Sequence, residues 1–297
     1  MDTQLQDRLI GSLVGLAVGD AVGTTVEFMS RGSFPTVTDM TGGGPFRLPV
    51  GAWTDDTSMA LCLAESLIAN KQLDKKDLLN RFCNWYKHGN NSSTGRCFDI
   101  GNTTASALEE FLHSGATTNN TEDFYAGNGS IMRLSPVAIA NYKDLHKAIK
   151  IAREQSETTH ANIKAVCSSE LLAEMLVRAF TATSKDQVVD IECQLNWPDT
   201  VCDIVASGVV RKHEHEIKST GYVIHTLEAA VWAFLNTDNF EDAVLKAVNL
   251  GGDADTIGAV VGQIAGAYYG ESNIPTQWLN KLYDYKRIRQ IAIDLTN

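Results

Sequence analysis

The chain has 297 residues, a formal net charge of −11 and an ordinary apolar fraction. The acidic balance excludes a nonspecific nucleic-acid binder, which needs a basic surface, and an anionic membrane surface as partner. No run reads as the roughly 20 apolar residues of a membrane span, and the N-terminus lacks the basic region of a signal peptide. The six cysteines (Cys62, Cys83, Cys97, Cys167, Cys193 and Cys202) are scattered without C-x-x-C spacing. A reducing cytoplasm is therefore the expected setting. The length allows one large domain or two ordinary ones, and nothing along the chain reads as a linker.

In chain order, a first helix is predicted from about Gln6 to Val22, with Leu9, Leu13 and Leu16 at helical spacing. Gly11, Gly15, Gly19 and Gly23 recur every fourth residue and give it a smooth ridge for close helix packing. Asp20 sits inside this apolar run and reads as a structural, hydrogen-bonding carboxylate. From Glu27 to Ala52 prolines and a Gly42–Gly44 run break any regular element. Such a long loop suits a lid or binding loop, and Glu27 stands where helix gives way to it.

Further helices are predicted over Thr57–Ala69, Lys75–Lys87, Ala105–His113, Pro136–Arg153, Ile163–Ala182, Thr226–Leu235, Phe240–Val248, Thr256–Tyr269 and Thr276 to about Ile293. Polar loops at Gly89–Arg96 and Gly115–Glu122 separate some of them. Ser184–Ser219 has no clear pattern, and its His213-Glu214-His215 reads as a solvated face rather than a metal site. No segment alternates as a strand does. The expectation is one all-α domain over residues 1–297, with the chemistry in polar, glycine-rich loops at helix starts.

Two acidic stretches stand out, Gly51-Ala52-Trp53-Thr54-Asp55-Asp56-Thr57-Ser58 and Leu250-Gly251-Gly252-Asp253-Ala254-Asp255-Thr256-Ile257-Gly258. Each opens an apolar, small-residue helix. Carboxylates there can simply cap a helix and complement its dipole. Buried carboxylates otherwise need a partner, a hydrogen bond or a metal. Thr54, Asp55, Asp56, Asp253, Asp255 and Thr256 form an oxygen-only donor set, which suits Mg²⁺ or Mn²⁺ and disfavours zinc. Four carboxylates exceed what one such ion takes and fit two cations sharing a bridging carboxylate. Gly127-Asn128-Gly129-Ser130 reads either as a plain turn or as an anion site of backbone N–H groups ahead of a helix. His160 lies in a Ser/Thr/Asn-rich loop, as a structural hydrogen-bonder or a ligand contact. Tyr222 reads as core packing or a ligand contact.

Seven pieces, in order and spanning nearly the whole chain, together resemble the ADP-ribosylglycohydrolases: GSLVGLAVGDAVGTTVEF, GAWTDDTSMAL, CFDIGNTT, GNGSIMRLSPVA, TTHAN, GYVIHTLEAAVWAF and LGGDADTIGAVVGQIAGAYYG. The resemblance implies an all-α fold with a binuclear Mg²⁺ or Mn²⁺ centre at the base of an ADP-ribose cleft. It implies that Thr54, Asp55, Asp56, Asp253, Asp255 and Thr256 are metal ligands, and that Glu27 reaches the metal in some members. Gly127, Asn128, Gly129, Ser130 and Met132 would contact diphosphate and ribose, with His160 beside the phosphate or distal ribose. Asp99 would lie near the scissile bond and Tyr222 near the adenine or leaving side chain. Glu27, Asp99 and Asp55 are thus the catalytic candidates. The implied activity is removal of ADP-ribose from a modified protein, on arginine first, with free ADP-ribose as product. Other linkages, a metal-dependent phosphohydrolase and a non-catalytic ADP-ribose binder are the competing readings.

Overall fold

Every regular element among the described residues is helical. The structure, a computed structural model, describes residues 2–117, 121–206 and 208–297. Part of the expected polar loop, 118–120, and residue 207 within the unpatterned segment lie outside the described residues. The helices in chain order are α1 (Thr3–Gly23), α2 (Asp55–Asn70), α3 (Lys75–His88), α4 (Asn102–Ser114), α5 (Ser135–Ala140), α6 (Leu145–Ser156), α7 (Ile163–Ala179), α8 (Asp186–Val189), α9 (Asp199–Val205), α10 (Val223–Leu235), α11 (Phe240–Val248), α12 (Ala254–Tyr269), α13 (Thr276–Lys281) and α14 (Tyr285–Asp294).

At the centre α1 lies along α12, and α10, α11 and α14 pack around the pair. Both central helices are buried on all sides, α1 from Leu9 to Gly23 and α12 from Ala254 to Ala267. A helix that is apolar all round belongs inside a protein. This corrects one expectation. Thr3–Val26 is long and apolar enough by composition to cross a membrane, with a mean hydropathy of 1.6 over its best window, yet 94% of that window is buried in the fold.

The glycine ridge explains how the two helices meet. A Cβ on Gly15 would lie 2.3 Å from the carbonyl oxygen of Gly262, and one on Gly19 would lie 1.9 Å from that of Gly258. The backbones are therefore in direct contact, and no side chain fits between them. This contact sets the position of the start of α12 relative to the rest of the molecule.

Two predicted helices are interrupted. The expected Pro136–Arg153 helix divides into α5 and α6, because Asn141 turns its side chain onto the Val137 carbonyl at 2.9 Å and Asp144 caps the next helix through the Lys147 N–H at 3.0 Å. The expected last helix divides into α13 and α14 at Asp284, which adopts φ 49°, while the Tyr283 N–H leaves the helical pattern to donate to the Gly51 carbonyl at 2.9 Å. Cys193 and Cys202 form a disulfide across nine residues, with Cα atoms 5.4 Å apart, a pairing that their scattered spacing did not signal. His213 and His215 are exposed, as expected of a solvated face.

Candidate active site

The two acidic stretches meet although about 200 residues separate them. Thr54 Oγ1 lies 3.3 Å from Asp255 Oδ2, and Thr256 Oγ1 lies 3.4 Å from Asp56 Oδ1, a reciprocal contact between the first turns of α2 and α12. The turn before α2 is held from below by Asp20, which is fully buried on α1. Its carboxylate accepts the Thr54 N–H at 2.9 Å, the Thr54 hydroxyl at 3.0 Å, the Thr57 N–H at 3.1 Å and the Thr57 hydroxyl at 2.6 Å. The structural role read for Asp20 is what the geometry shows.

Above this floor opens a cleft of about 700 Å³. Glu27, Asp55, Asp99, Asp253, Asp255 and Thr256 line its acidic end. Thr54 and Asp56 do not line it; both are fully buried beneath. Asp253 is half-buried, and its Oδ2 accepts the Asn128 side-chain N–H at 2.6 Å. Glu27 is positioned by its neighbours. The Phe28 N–H donates to the Gly252 carbonyl at 2.7 Å, and the Gly252 N–H donates back to the Met29 carbonyl at 2.7 Å. The long loop is thus stitched to the second acidic motif, and Met40 within it is fully buried, so it is a packed strap.

Too many carboxylates share this space for all to be ionised alone. Burial, then the neighbouring Asp99, pushes Glu27 up to about 10. Burial raises Asp99 to about 7. Asp55, Asp56 and Asp255 are each held well above the ordinary range by burial and then by a neighbouring carboxylate, Asp99 for Asp55, Asp20 for Asp56 and Glu27 for Asp255. One oxygen each of Glu27, Asp56 and Asp255 is buried without a hydrogen-bond partner. Such groups are costly unless something positive completes them. Two sets of ligand-capable oxygens lie within 4.8 Å of one another, Asp20/Asp56/Asp255 and Glu27/Asp99/Asp255, and Asp255 belongs to both. Oxygen-only donors, unpartnered lone pairs and raised proton affinity are what a hard divalent cation site requires. The residues present fit such a cation.

The other wall is Gly127, Asn128, Gly129, Met132 and His160, with Gly101 to Thr104 beside them. Asn128 is clamped, its N–H on the Gly221 carbonyl at 3.1 Å and its side chain also on Thr226 at 2.9 Å. No helix follows this turn directly, since α5 begins only at Ser135. The helix whose open N-terminus faces the cleft is α4, which has Gly101 at its cap and no side-chain capping bond. Its free N–H groups make that end of the wall receptive to anions as well.

His160 is buried, and its hydrogen-bonding chain determines which nitrogen carries the proton. The guanidinium of Arg133 donates to Thr159 Oγ1 at 2.8 Å, and Thr159 Oγ1 lies 2.8 Å from His160 Nδ1. Arginine can only donate. Thr159 therefore accepts from Arg133, and because Nδ1 is the only acceptor within reach of its hydroxyl among the described residues, it gives its own proton there. Nε2 then bears the hydrogen and points at the glycine turn, where a Cβ on Gly129 would come within 2.9 Å of it. Burial, and then Arg133, pushes the imidazole pKa down to about 3, so the ring is a neutral donor.

Two expected site residues are placed elsewhere. Ser130 is fully buried. Its hydroxyl accepts from Ser169 at 3.0 Å, and its carbonyl accepts from Gln155 at 2.9 Å, so the side chain faces the core. Tyr222 pairs its backbone with Gly127, while its ring packs edge-on against His225 at 4.9 Å outside the cleft lining. Conversely, Phe28 and Phe124 line the cleft at 67% and 76% exposure. No sequence signal singled them out, because an isolated aromatic reads as core.

A helical domain with two convergent acidic helix starts under an anion-receptive wall defines a hydrolase-type cleft. A family model described as ADP-ribosylglycohydrolase matches residues 1–297, and the chain belongs to that family. It is 48% identical over 295 residues to the ADP-ribosylarginine hydrolase Tri1 of Serratia proteamaculans, covering 99% of this chain and 80% of that one. It is 34% identical over 297 residues to the ADP-ribosyl-[dinitrogen reductase] glycohydrolase of Rhodospirillum rubrum, covering 97% and 94%. A solved structure titled "ADP-ribosylglycohydrolase-related protein complex" superposes with a TM-score of 0.89 at 39% identity, covering 99% of each chain.

Proposed function

We propose that this protein, acting as one domain over residues 1–297, hydrolyses the bond between ribose C1″ and the arginine side chain of a mono-ADP-ribosylated protein. The observation that carries the reading is the convergence of unpartnered carboxylate oxygens from Glu27, Asp56 and Asp255 at the floor of a cleft whose opposite wall suits a diphosphate. The arginine linkage is supported by relatives named for it.

Thr54, Asp55, Asp56, Asp253, Asp255 and Thr256 would hold two Mg²⁺ or Mn²⁺ ions, and Asp255 belongs to both sets of clustered oxygens. When bound, the cations supply Lewis-acid polarisation of ribose hydroxyls and of water. The turn Gly127–Gly129, the start of α4 and the Nε2–H of His160 would hold the diphosphate and the adjoining ribose. Phe124, exposed at the rim, offers a face for the adenine. Glu27 and Asp99 share the scissile end. Burial, and for Glu27 then the charge of Asp99, keeps a proton on the pair, which would pass to the leaving guanidine nitrogen as the C–N bond breaks. The emptied carboxylate then accepts the proton of the attacking water, and neighbouring carboxylates stabilise the oxocarbenium-like charge on the ribose.

The test is release of free ADP-ribose from mono-ADP-ribosylated arginine protein with Mg²⁺, with Mn²⁺ and with a chelator. Metal-dependent ADP-ribose with an intact acceptor is expected. Phosphate or AMP as product would instead indicate a phosphohydrolase, and tight ADP-ribose binding without turnover a binding protein.

A further inference from the structure

A second groove, of about 350 Å³, opens beside the acidic end of the cleft and is lined by Phe46, Arg47, Arg96 and Phe98 among others. An aromatic row joins the two spaces. Phe28, next to Glu27, lies 6.4 Å from Phe46, and Phe46 lies 5.1 Å from Phe98, next to Asp99. The groove therefore connects through Phe28 with the end of the cleft lined by Glu27 and Asp99, where the bond to the acceptor would sit.

Its two sides are fixed. Gly43 and Leu48 exchange backbone hydrogen bonds of 2.8 Å each, making a tight hairpin that presents Phe46 and Arg47 at its tip. On the facing loop, the Ser92 hydroxyl donates to the Arg96 carbonyl at 2.6 Å, and the Ser93 hydroxyl donates to the Trp53 carbonyl at 2.6 Å.

Charge selects the occupant. Arg47 and Arg96 are both exposed, and among the described residues neither has a carboxylate within ion-pair distance. The contrast is local, for Arg287, which reaches Asn91 on the same loop, is paired with Glu65, as is Arg81. In a chain of net charge −11, two uncompensated guanidinium groups flanking an aromatic floor form a distinct positive site. Guanidinium recognises carboxylates in a planar, two-pronged geometry.

We propose that this groove is the docking site for the substrate protein, and that it takes an acidic segment flanking the ADP-ribosylated arginine. The proposal rests on the hydrolase reading. Carboxylates of the segment would meet Arg47 and Arg96, and an adjacent apolar side chain would lie on Phe46 and Phe98. Protein substrates with acidic flanks would be preferred through their capture, with the chemical step unaltered.

The experiment compares wild type with R47E/R96E on three substrates: free ADP-ribosylarginine, and two ADP-ribosylarginine peptides of equal length, one with acidic and one with neutral flanks. Folding of the variant is checked by its melting temperature. Wild type is expected to show a kcat/KM roughly tenfold higher on the acidic peptide than on the neutral one, declining with salt. The variant is expected to lose that preference while turning over free ADP-ribosylarginine normally. Equal wild-type rates on the two peptides, or an equal loss on all three substrates in the variant, would overturn the proposal. Failure of wild type on free ADP-ribosylarginine strikes at the hydrolase reading instead. Fluorescence anisotropy of the unmodified acidic peptide still tests the groove in that case. Binding lost in the variant supports it, while no binding, or tighter binding of a single-stranded oligonucleotide, overturns it.

Discussion

Asp20 holds Thr54 twice over, accepting its N–H at 2.9 Å and its hydroxyl at 3.0 Å. The second bond orients that hydroxyl so that an oxygen lone pair is free to face the acidic floor. Asp20→Ala would leave two buried N–H groups and two buried hydroxyls without their acceptor. A loss of about 2–4 kcal/mol is expected in urea unfolding. Asp20→Asn keeps one acceptor and should cost less, while still weakening Mn²⁺ binding in calorimetry. Unchanged stability in the alanine variant would show that Thr54 and Thr57 are held by something else.

The contact between α1 and α12 predicts a second result. Gly19→Ala gains about 1 kcal/mol of helix propensity. Its methyl, however, would sit 1.9 Å from a backbone oxygen that no rotamer can move. A net loss of about 3 kcal/mol is expected. Because Asp255 lies in the first turn of α12, separating the helices should also reduce divalent-cation affinity. A variant as stable as wild type by thermal melting would contradict the close approach.

His160 gives a prediction with a definite sign. Its folded pKa of about 3 lies below the ordinary 6.5. The unfolded chain therefore binds the extra proton first. The stability this ring confers is complete above pH 6.5 and is lost as pH falls toward 3. His160→Gln should flatten that part of the acid limb of a stability–pH profile. Nitrogen NMR of the wild-type ring should show a neutral Nε2–H form throughout pH 5–8, and Arg133→Met should disturb that form without touching the cleft lining.

The crowded carboxylates run the other way. Asp99 has its pKa raised from 3.8 to about 7 and Glu27 from 4.5 to about 10. The metal-free fold gains from protonating them, and that gain is lost as pH rises through these values. In chelator, stability carried by this cluster should fall between pH 5 and 8. Added Mn²⁺ or Mg²⁺ should restore it, with a larger rise in Tm at pH 8 than at pH 5. Asp255→Ala, which removes the oxygens common to both sets, should abolish metal-dependent ADP-ribose release and most of that rise. An identical rise in the variant would place the cations elsewhere.

Much of this was legible in the sequence because the signals were local. Asp55, Asp56, Asp253 and Asp255 sit at the mouths of apolar helices, and glycines every fourth residue imply a helix packed on its backbone. What was not legible depends on direction and on distant partners. Ser130 belongs to a glycine-rich turn, yet its hydroxyl faces Ser169 in the core. Tyr222 contributes its backbone, and only the bridge to Gly127 reveals that. Asn141 ends α5 through side-chain bonding, and Asp284 restarts the chain into α14 from a left-handed φ, neither of which periodicity registers. The anion-facing helix start at Gly101 has no charged residue to advertise it, since its chemistry is bare N–H.

The glycine ridge also carries a consequence for the order of events during synthesis. The helix at residues 3–23 is buried on every face from Leu9 onward and finds much of its cover in a helix at residues 254–269. Until that later segment has left the ribosome, the early one lacks its native partner, and its apolar surface is open to other contacts. The same late arrival brings Asp253 and Asp255. The acidic floor is therefore incomplete in any chain that lacks α12, and the contact that covers α1 is also the one that brings Asp255 to Asp56 and Thr54.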